Sequence, residues 1–250
     1  MPGLEEFSPK GMLHKGWSAQ VDDYAIVCGW ALKGKAFLVG DVAGGLYSFE
    51  GKSGNLIWQT KEIHKGGLLA ISIHPDGNTF ATAGQDGKVL IWESKEGKST
   101  NTLELGKGWV EHIKWSPDGK FLAVVFTKYV YVFNEKGQEH WKSEEHPSTV
   151  SAIAWSNSNE LATACYGQVT FFDVASNKVN QKLEWRGSLV SMVLSPDGDI
   201  VACGSQDNSV HFWRRSTDQD SEMTGYPGKP SHLAFDQTGT VLATGGSDRV

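Results

Sequence analysis

The chain has 250 residues, of which 39% are hydrophobic and 21% charged, and its formal net charge is −6. That length accommodates one large or two small domains with a sizeable core, and the composition excludes a disordered or collagen-like polypeptide. Lysine and arginine are scattered, Arg214-Arg215 is the one arginine pair, and there is no basic tract of the kind that tracks phosphates, so nucleic acid is not an expected partner.

The N-terminus, Met1-Pro2-Gly3-Leu4-Glu5-Glu6, opens acidic without the apolar stretch of a signal peptide, and no run reaches membrane-spanning length. A cytoplasmic chain without membrane contact is therefore expected. Cys28, Cys165 and Cys203 are an odd count at distant positions beside small or apolar neighbours, which predicts reduced, buried thiols rather than a disulfide frame or a metal site.

Along residues 23–59 the chain reads as short strands, with Trp30 closing the first of them. The next unit shows the pattern more fully. Leu68-Leu69-Ala70-Ile71-Ser72-Ile73 is a strand, His74-Pro75-Asp76-Gly77 a turn, and Thr79-Phe80-Ala81-Thr82-Ala83 a second strand. Gln85-Asp86-Gly87-Lys88 then turns the chain into Val89-Leu90-Ile91-Trp92, and Glu96-Gly97-Lys98 opens a fourth strand. Proline presets φ for such turns and glycine accepts positive φ, so the turn chemistry agrees with tight β connections.

The first turn returns as Ser116-Pro117-Asp118-Gly119 and Ser195-Pro196-Asp197-Gly198, and more loosely as Ser156-Asn157-Ser158-Asn159 and Asp236-Gln237-Thr238-Gly239. Measured between Pro75, Pro117, Asn157, Pro196 and Gln237, the spacings are 42, 40, 39 and 41 residues. A period near forty is that of a four-stranded propeller blade. The units run approximately over residues 20–62, 63–105, 106–145, 146–185 and 186–226, with a sixth opening near Pro227. Nothing in Gly245-Gly246-Ser247-Asp248-Arg249-Val250 resembles a stop, so the ring is expected to continue beyond this sequence, to seven blades in all.

From about residue 20 onward these units resemble the WD40 repeat family. The resemblance implies an all-β, WD40-type β-propeller over residues 20–250, with five blades and part of a sixth present, and makes residues 1–19 a candidate ring-closing segment. It also implies that His64, Thr82, Asp86 and Trp92 form a hydrogen-bonded structural tetrad. The pattern erodes elsewhere: the fourth unit keeps His146 but has Tyr166 near the Asp place, and the fifth keeps Asp207 and Trp213 but offers Trp185 and Cys203 for the other two places.

His64, Thr82 and Asp86 contain the groups of a nucleophilic triad, yet side chains that recur at a blade period serve structure, so no catalytic residue is expected. Gly51-Lys52-Ser53 and Gly97-Lys98-Ser99 lack the glycine spacing and following helix of a phosphate loop. The histidines match no standard ligand pattern, and the stretch from His140 to His146 reads as a solvated loop; no metal and no cofactor are expected. Thr217-Asp218-Gln219-Asp220-Ser221-Glu222 reads as a polar loop.

Most of the ten tryptophans fall at repeating strand positions, and Trp30, Trp115, Trp155, Trp92 and Trp213 are expected in the core. Trp109 and Trp185 fall instead between consecutive units, in connections that the resemblance places on the face where partners dock. With Gln85, Gln206, Lys65, His112, Lys229 and His232 they form the candidate protein-binding set. The expectation is a non-catalytic scaffold that holds protein partners through blade loops. The competing reading is a propeller that binds a small ligand, or acts as an enzyme, in its central channel.

Overall fold

The computed structural model describes residues 16–247. The expectations for the first residues, and for a turn and strand start at residues 248–250, lie outside the described residues.

The β-branched and aromatic runs form strands wherever the turn residues release them. The first blade comprises β1 (Ala25–Ala31), β2 (Ala36–Asp41), β3 (Leu46–Glu50) and β4 (Leu56–Thr60), hydrogen-bonded in that order. The second comprises β5 (Leu68–Ile73), β6 (Thr79–Gly84), β7 (Lys88–Glu93) and β8 (Lys98–Glu104), and the third β9 (His112–Trp115), β10 (Phe121–Phe126), β11 (Tyr129–Asn134) and β12 (Glu139–Lys142). All neighbours pair antiparallel.

The fourth and fifth blades share a strand. β13 (Ala152–Asn157) pairs with the first half of β14 (Glu160–Asp173), whose second half pairs with β15 (Lys178–Leu194). β15 then runs without interruption into the fifth blade, pairing there with β16 (Ile200–Ser205), and β17 (Val210–Arg214) and β18 (Gln219–Met223) follow. A sixth unit is represented by β19 (Pro230–Phe235) and β20 (Leu242–Gly246). Among the described residues the one helical element is a short 3-10 turn, Leu32–Gly34.

The core is a series of seams between blades, because successive side chains of a strand point to opposite faces and both faces here meet a neighbour. Val89 and Ile91 of the second blade pack with Val110, Ile113, Trp115 and Val124 of the third. Val130 and Val132 of the third blade meet Leu161 and Phe172 of the fourth. Val169 and Phe171 of the fourth meet Val201, Cys203 and Trp213 of the fifth. Each fully buried Val, Leu or Phe in these seams contributes about 1.5–3 kcal/mol.

Three indoles lock onto carbonyls of a neighbouring strand. Trp58 Nε1 donates to Ser94 O at 3.1 Å and Trp141 Nε1 to Val174 O at 2.8 Å, each from a fourth strand to the end of the next blade's third strand. Trp17 Nε1 donates to Gly51 O at 2.9 Å, at the end of β3. Trp17 thus stands against the first blade as Trp58 stands against the second, although residues 16–20 carry no strand pairing.

Two expectations are corrected here. Trp30 is 53% exposed, not core. It holds the register of Trp115, which stacks edge-on against His74 of the preceding blade, but no described blade precedes the first, so its indole rests on Phe37 and beside Gly51 of its own blade. Cys28, expected to be buried, is exposed on the same strand, whereas Cys165 and Cys203 are buried.

Candidate interaction face

In an antiparallel four-stranded blade, the link between the second and third strands and the link to the next blade emerge at the same end. That topology gathers Lys65, Gln85, Trp109, His112, Gln206, Lys229 and His232 at one end of the molecule.

Beneath this face lies the polar brace of the second blade. His64 Nδ1 is 2.9 Å from Asp86 Oδ1, His64 Nε2 is 3.0 Å from Thr82 Oγ1, and Trp92 Nε1 donates to that same hydroxyl at 2.8 Å. Burial lowers the His64 pKa against the pull of the Asp86 carboxylate, so the ring is neutral. Donor accounting then fixes its tautomer: Nδ1–H donates to Asp86, Nε2 accepts from Thr82, and Thr82 accepts from the indole. Thr82 is 0% and His64 2% exposed, which leaves no approach for a substrate.

The fourth blade keeps half of this arrangement. His146 donates from Nδ1 to Lys128 O at 2.9 Å and lies 3.0 Å from Thr163 Oγ1 through Nε2. It is buried, and His140 lies on strand β12, which corrects the solvated-loop reading at both histidines; Glu144 and Glu145 between them are exposed. In the fifth blade Trp185 and Cys203 take the His and Thr places, and the brace becomes aromatic. The Trp185 and His211 ring centroids are 3.8 Å apart, and His211 and Trp213 are 4.2 Å apart.

Trp185 is therefore not an exposed anchor. It lies within the continuous strand β15, partly buried against the seam between the fourth and fifth blades. A strand-to-strand passage without a loop connects these blades, although Gly187 and Ser188 at the junction are residue types that signal a turn in sequence.

Trp109 differs. It is 53% exposed on a loop whose backbone is pinned: Leu105 N donates to Gly87 O at 3.0 Å and Val110 N to Gly84 O at 3.1 Å. Gly106 and Gly108 adopt φ of 127° and 150°, and a β-carbon at Gly108 would sit 3.0 Å from the Phe126 ring. These glycines let the loop lie flat while Trp109 projects.

The remaining residues of the set divide by exposure. The side chains of Lys65, Gln206, Lys229 and His232 are exposed, while Gln85 and His112 are half-buried. Gln85 lies over Gly66, where a β-carbon would meet it at 3.2 Å. Lys65 is held at its backbone by Asp86 Oδ2, 3.1 Å away. Sequence reasoning missed two exposed aromatics at this end, Tyr166 at 58% and Tyr24 at 82%. The signal for Tyr166 was its place near the turn position that Asp86 fills in the second blade, where a tyrosine has no bracing role. Among the described residues no cluster of three His, Cys, Asp or Glu could hold a metal ion, and no helix is long and apolar enough to cross a membrane.

Radial four-stranded sheets with buried polar braces and loops gathered at one end define a β-propeller. The family model for the WD domain, G-beta repeat, matches residues 57–93 and 179–214, each running from the outer strand of one blade through the third strand of the next. At these two places the chain carries WD40 repeats, and the whole is similar to WD40-repeat proteins.

Among curated relatives, echinoderm microtubule-associated protein-like 2 of Mus musculus is 24% identical over 274 residues, covering 89% of this chain and 42% of the relative. Actin-interacting protein 1 of Drosophila melanogaster is 25% identical and covers 66% of this chain and 29% of the relative. The chain thus spans less than half the length of these relatives. A chain in the crystal structure of a mitotic checkpoint complex superposes with a TM-score of 0.80 at 19% identity, over 92% of this chain and 74% of that one, which establishes the shared fold.

Proposed function

We propose that this chain is a non-catalytic, cytoplasmic scaffold that binds protein partners through the face carrying Trp109. One observation carries the reading: a large indole is held out to solvent by a loop whose backbone is fixed from both sides. Exposing that much apolar surface costs free energy that a partner would recover, and a pre-fixed loop loses little entropy on binding. Tyr166, Lys65, Gln206, Lys229 and His232 supply a second aromatic and a polar rim. The names of the relatives, which speak of microtubule association and of interaction with actin, support a role in protein assembly without fixing this chain's partner.

On this reading the His64, Thr82, Asp86 and Trp92 brace holds the platform rigid and performs no chemistry. Trp17, placed like the outer-strand tryptophan of a neighbouring blade, supports a ring completed by the N-terminal segment. The test is isolation of the full-length protein, wild type beside Trp109→Ala, with quantification of co-isolated chains. Partners that bind through this face are depleted in the variant; equal recovery of every partner contradicts the assignment.

A further inference from the structure

The chain has six tyrosines, and the structure gives five of them a place in the fold. Tyr47 is buried, with its hydroxyl donating to Asp41 Oδ2 at 2.9 Å. The Tyr129 hydroxyl donates to Glu145 at 3.1 Å, and that of Tyr226 to Thr244 Oγ1 at 3.2 Å. Tyr131 sits inside the third blade, paired with Val124 on one side and Lys142 on the other. Tyr166 is exposed, but its backbone is fixed in the sheet: it pairs with Ser188, and its N–H donates to Ser148 Oγ at 2.8 Å.

Tyr24 differs from all of these. It is 82% exposed, and among the described residues its hydroxyl forms no hydrogen bond and its ring stacks on no aromatic. Residues 16–23 before it carry no strand pairing, while its own carbonyl is held by Val42 N at 2.9 Å. The position also stays open where blades meet. Tyr24, Trp109 and Thr149 each stand six residues before the tryptophan of a first strand, Trp30, Trp115 or Trp155. Trp109 and Thr149 are exposed although a blade precedes each of them, so a blade set before the first leaves Tyr24 accessible as well.

We propose that Tyr24 is a phosphate acceptor for a protein tyrosine kinase that prefers acidic residues on the N-terminal side of its target. Such an enzyme must draw the residues around the phenol into an extended cleft, and a cleft lined with cations favours a segment that enters with negative charge. Val21-Asp22-Asp23-Tyr24 meets both needs, since the segment is unpaired and both carboxylates are exposed. Beyond the acceptor, Ala25 and Ile26 are exposed on β1, which pairs with β2 alone. Lys61 forms an ion pair with Asp22, but both side chains face solvent, so the pair is weak and a kinase's own cations displace it. In the transfer the Tyr24 phenol oxygen bonds to the γ-phosphorus of ATP, the bond from that phosphorus to the bridging oxygen breaks to release ADP, and the phenolic proton passes to the kinase. The product adds about −1.5 to −2 charge at the end of the molecule that bears Trp109. An effect on partner binding rests on the reading of that face; the acceptor assignment does not.

The experiment treats the folded full-length protein with magnesium-ATP and the catalytic domain of a tyrosine kinase of that preference, and follows phosphate at each tyrosine by mass spectrometry of the digested protein. Tyr24 is expected to be labelled first and to completion, Tyr166 severalfold more slowly, and Tyr47 not at all. Tyr24→Phe removes most of the incorporated phosphate. Replacing both carboxylates, as Asp22→Asn with Asp23→Asn, slows labelling at Tyr24 severalfold and leaves the rate at Tyr166 unchanged. The proposal is overturned if Tyr24 takes phosphate only after the protein is unfolded in urea, or if Tyr166 is labelled as fast as Tyr24. A double asparagine variant labelled at Tyr24 at the wild-type rate overturns it as well.

Discussion

Two buried histidines with opposite surroundings show what each residue contributes. His64 has a partner at each ring nitrogen; His211, 1% exposed, has none, and its closest carboxylate, Asp220, lies 3.3 Å from Nε2 outside hydrogen-bonding geometry. Leaving a buried polar group unpaired costs about 1–3 kcal/mol, whereas removing an already unpaired one costs little. Urea denaturation is expected to find His64→Phe destabilised by about 2–4 kcal/mol, since Thr82 and Asp86 lose their partner. His211→Phe, which keeps the stack on Trp185 and Trp213, is expected to be neutral or stabilising by about 1 kcal/mol.

The same burial sets a pH dependence. Loss of hydration lowers the pKa of His64, His146 and His211, against Asp86 in the first case, the Lys128 carbonyl in the second and Asp220 in the third. The unfolded chain binds protons that these rings refuse when folded, so stability is full above the unfolded histidine pKa of about 6.5 and declines below it. Melting temperatures are expected to fall between pH 7.5 and 5.5, with a shallower fall in His211→Phe; a flat profile contradicts the neutral assignment of these rings. The role of His64 was legible through the family resemblance, because His64, Thr82, Asp86 and Trp92 hold all four places of the tetrad in the second unit. That of His211 was not, because within an apolar strand run nothing marks which face a histidine takes.

At the scale of elements, stability resides in the seams. Between the fourth and fifth blades Arg215 makes paired bonds to Glu160, 3.0 Å from Nη1 to Oε2 and 3.1 Å from Nη2 to Oε1, and its guanidinium lies 3.7 Å over the Phe171 ring. Burial works to raise the Glu160 carboxyl, but Arg215, Ser156 and Asn180 together hold it below its ordinary value. Arg215→Met leaves that carboxylate uncompensated and is expected to cost about 3 kcal/mol, while adding Glu160→Met returns part of the loss. A double variant no more stable than the single one contradicts a clamp between blades.

Sequence pattern located the strands and missed how they meet. Trp30, Trp115 and Trp155 share one register, and only the presence of a preceding blade separates an exposed indole from a buried one. Trp185 read as a loop residue because units were assumed to be joined by loops; instead one 17-residue strand serves both blades. The Arg215–Glu160 pair, 55 positions apart in sequence, follows no repeat and was invisible. Trp17→Ala is expected to lower the melting temperature by several degrees, since Phe37 and Phe49 lose the ring packed against them; an unchanged melting curve contradicts the role assigned to residues 16–20.

For the whole molecule, the forty-residue period carried the fold, because an indole, a proline turn and a polar brace returning in phase can be buried together only by stacking equivalent sheets. Function was less legible: which loop side chains stay exposed depends on packing at each junction, so Trp109 and Trp185 looked alike in sequence and diverged in three dimensions. The proposed function divides these side chains into braces that hold the ring and loop residues that meet a partner. Its most direct test is to measure, on the full-length protein, partner affinity and melting temperature for Trp109→Ala beside Thr82→Val. The expected result is a split: Trp109→Ala loses at least tenfold in affinity and melts like the wild type, while Thr82→Val melts earlier and, below that temperature, binds normally. A Thr82→Val protein of unchanged stability, or a Trp109→Ala protein that binds normally and melts early, would contradict it.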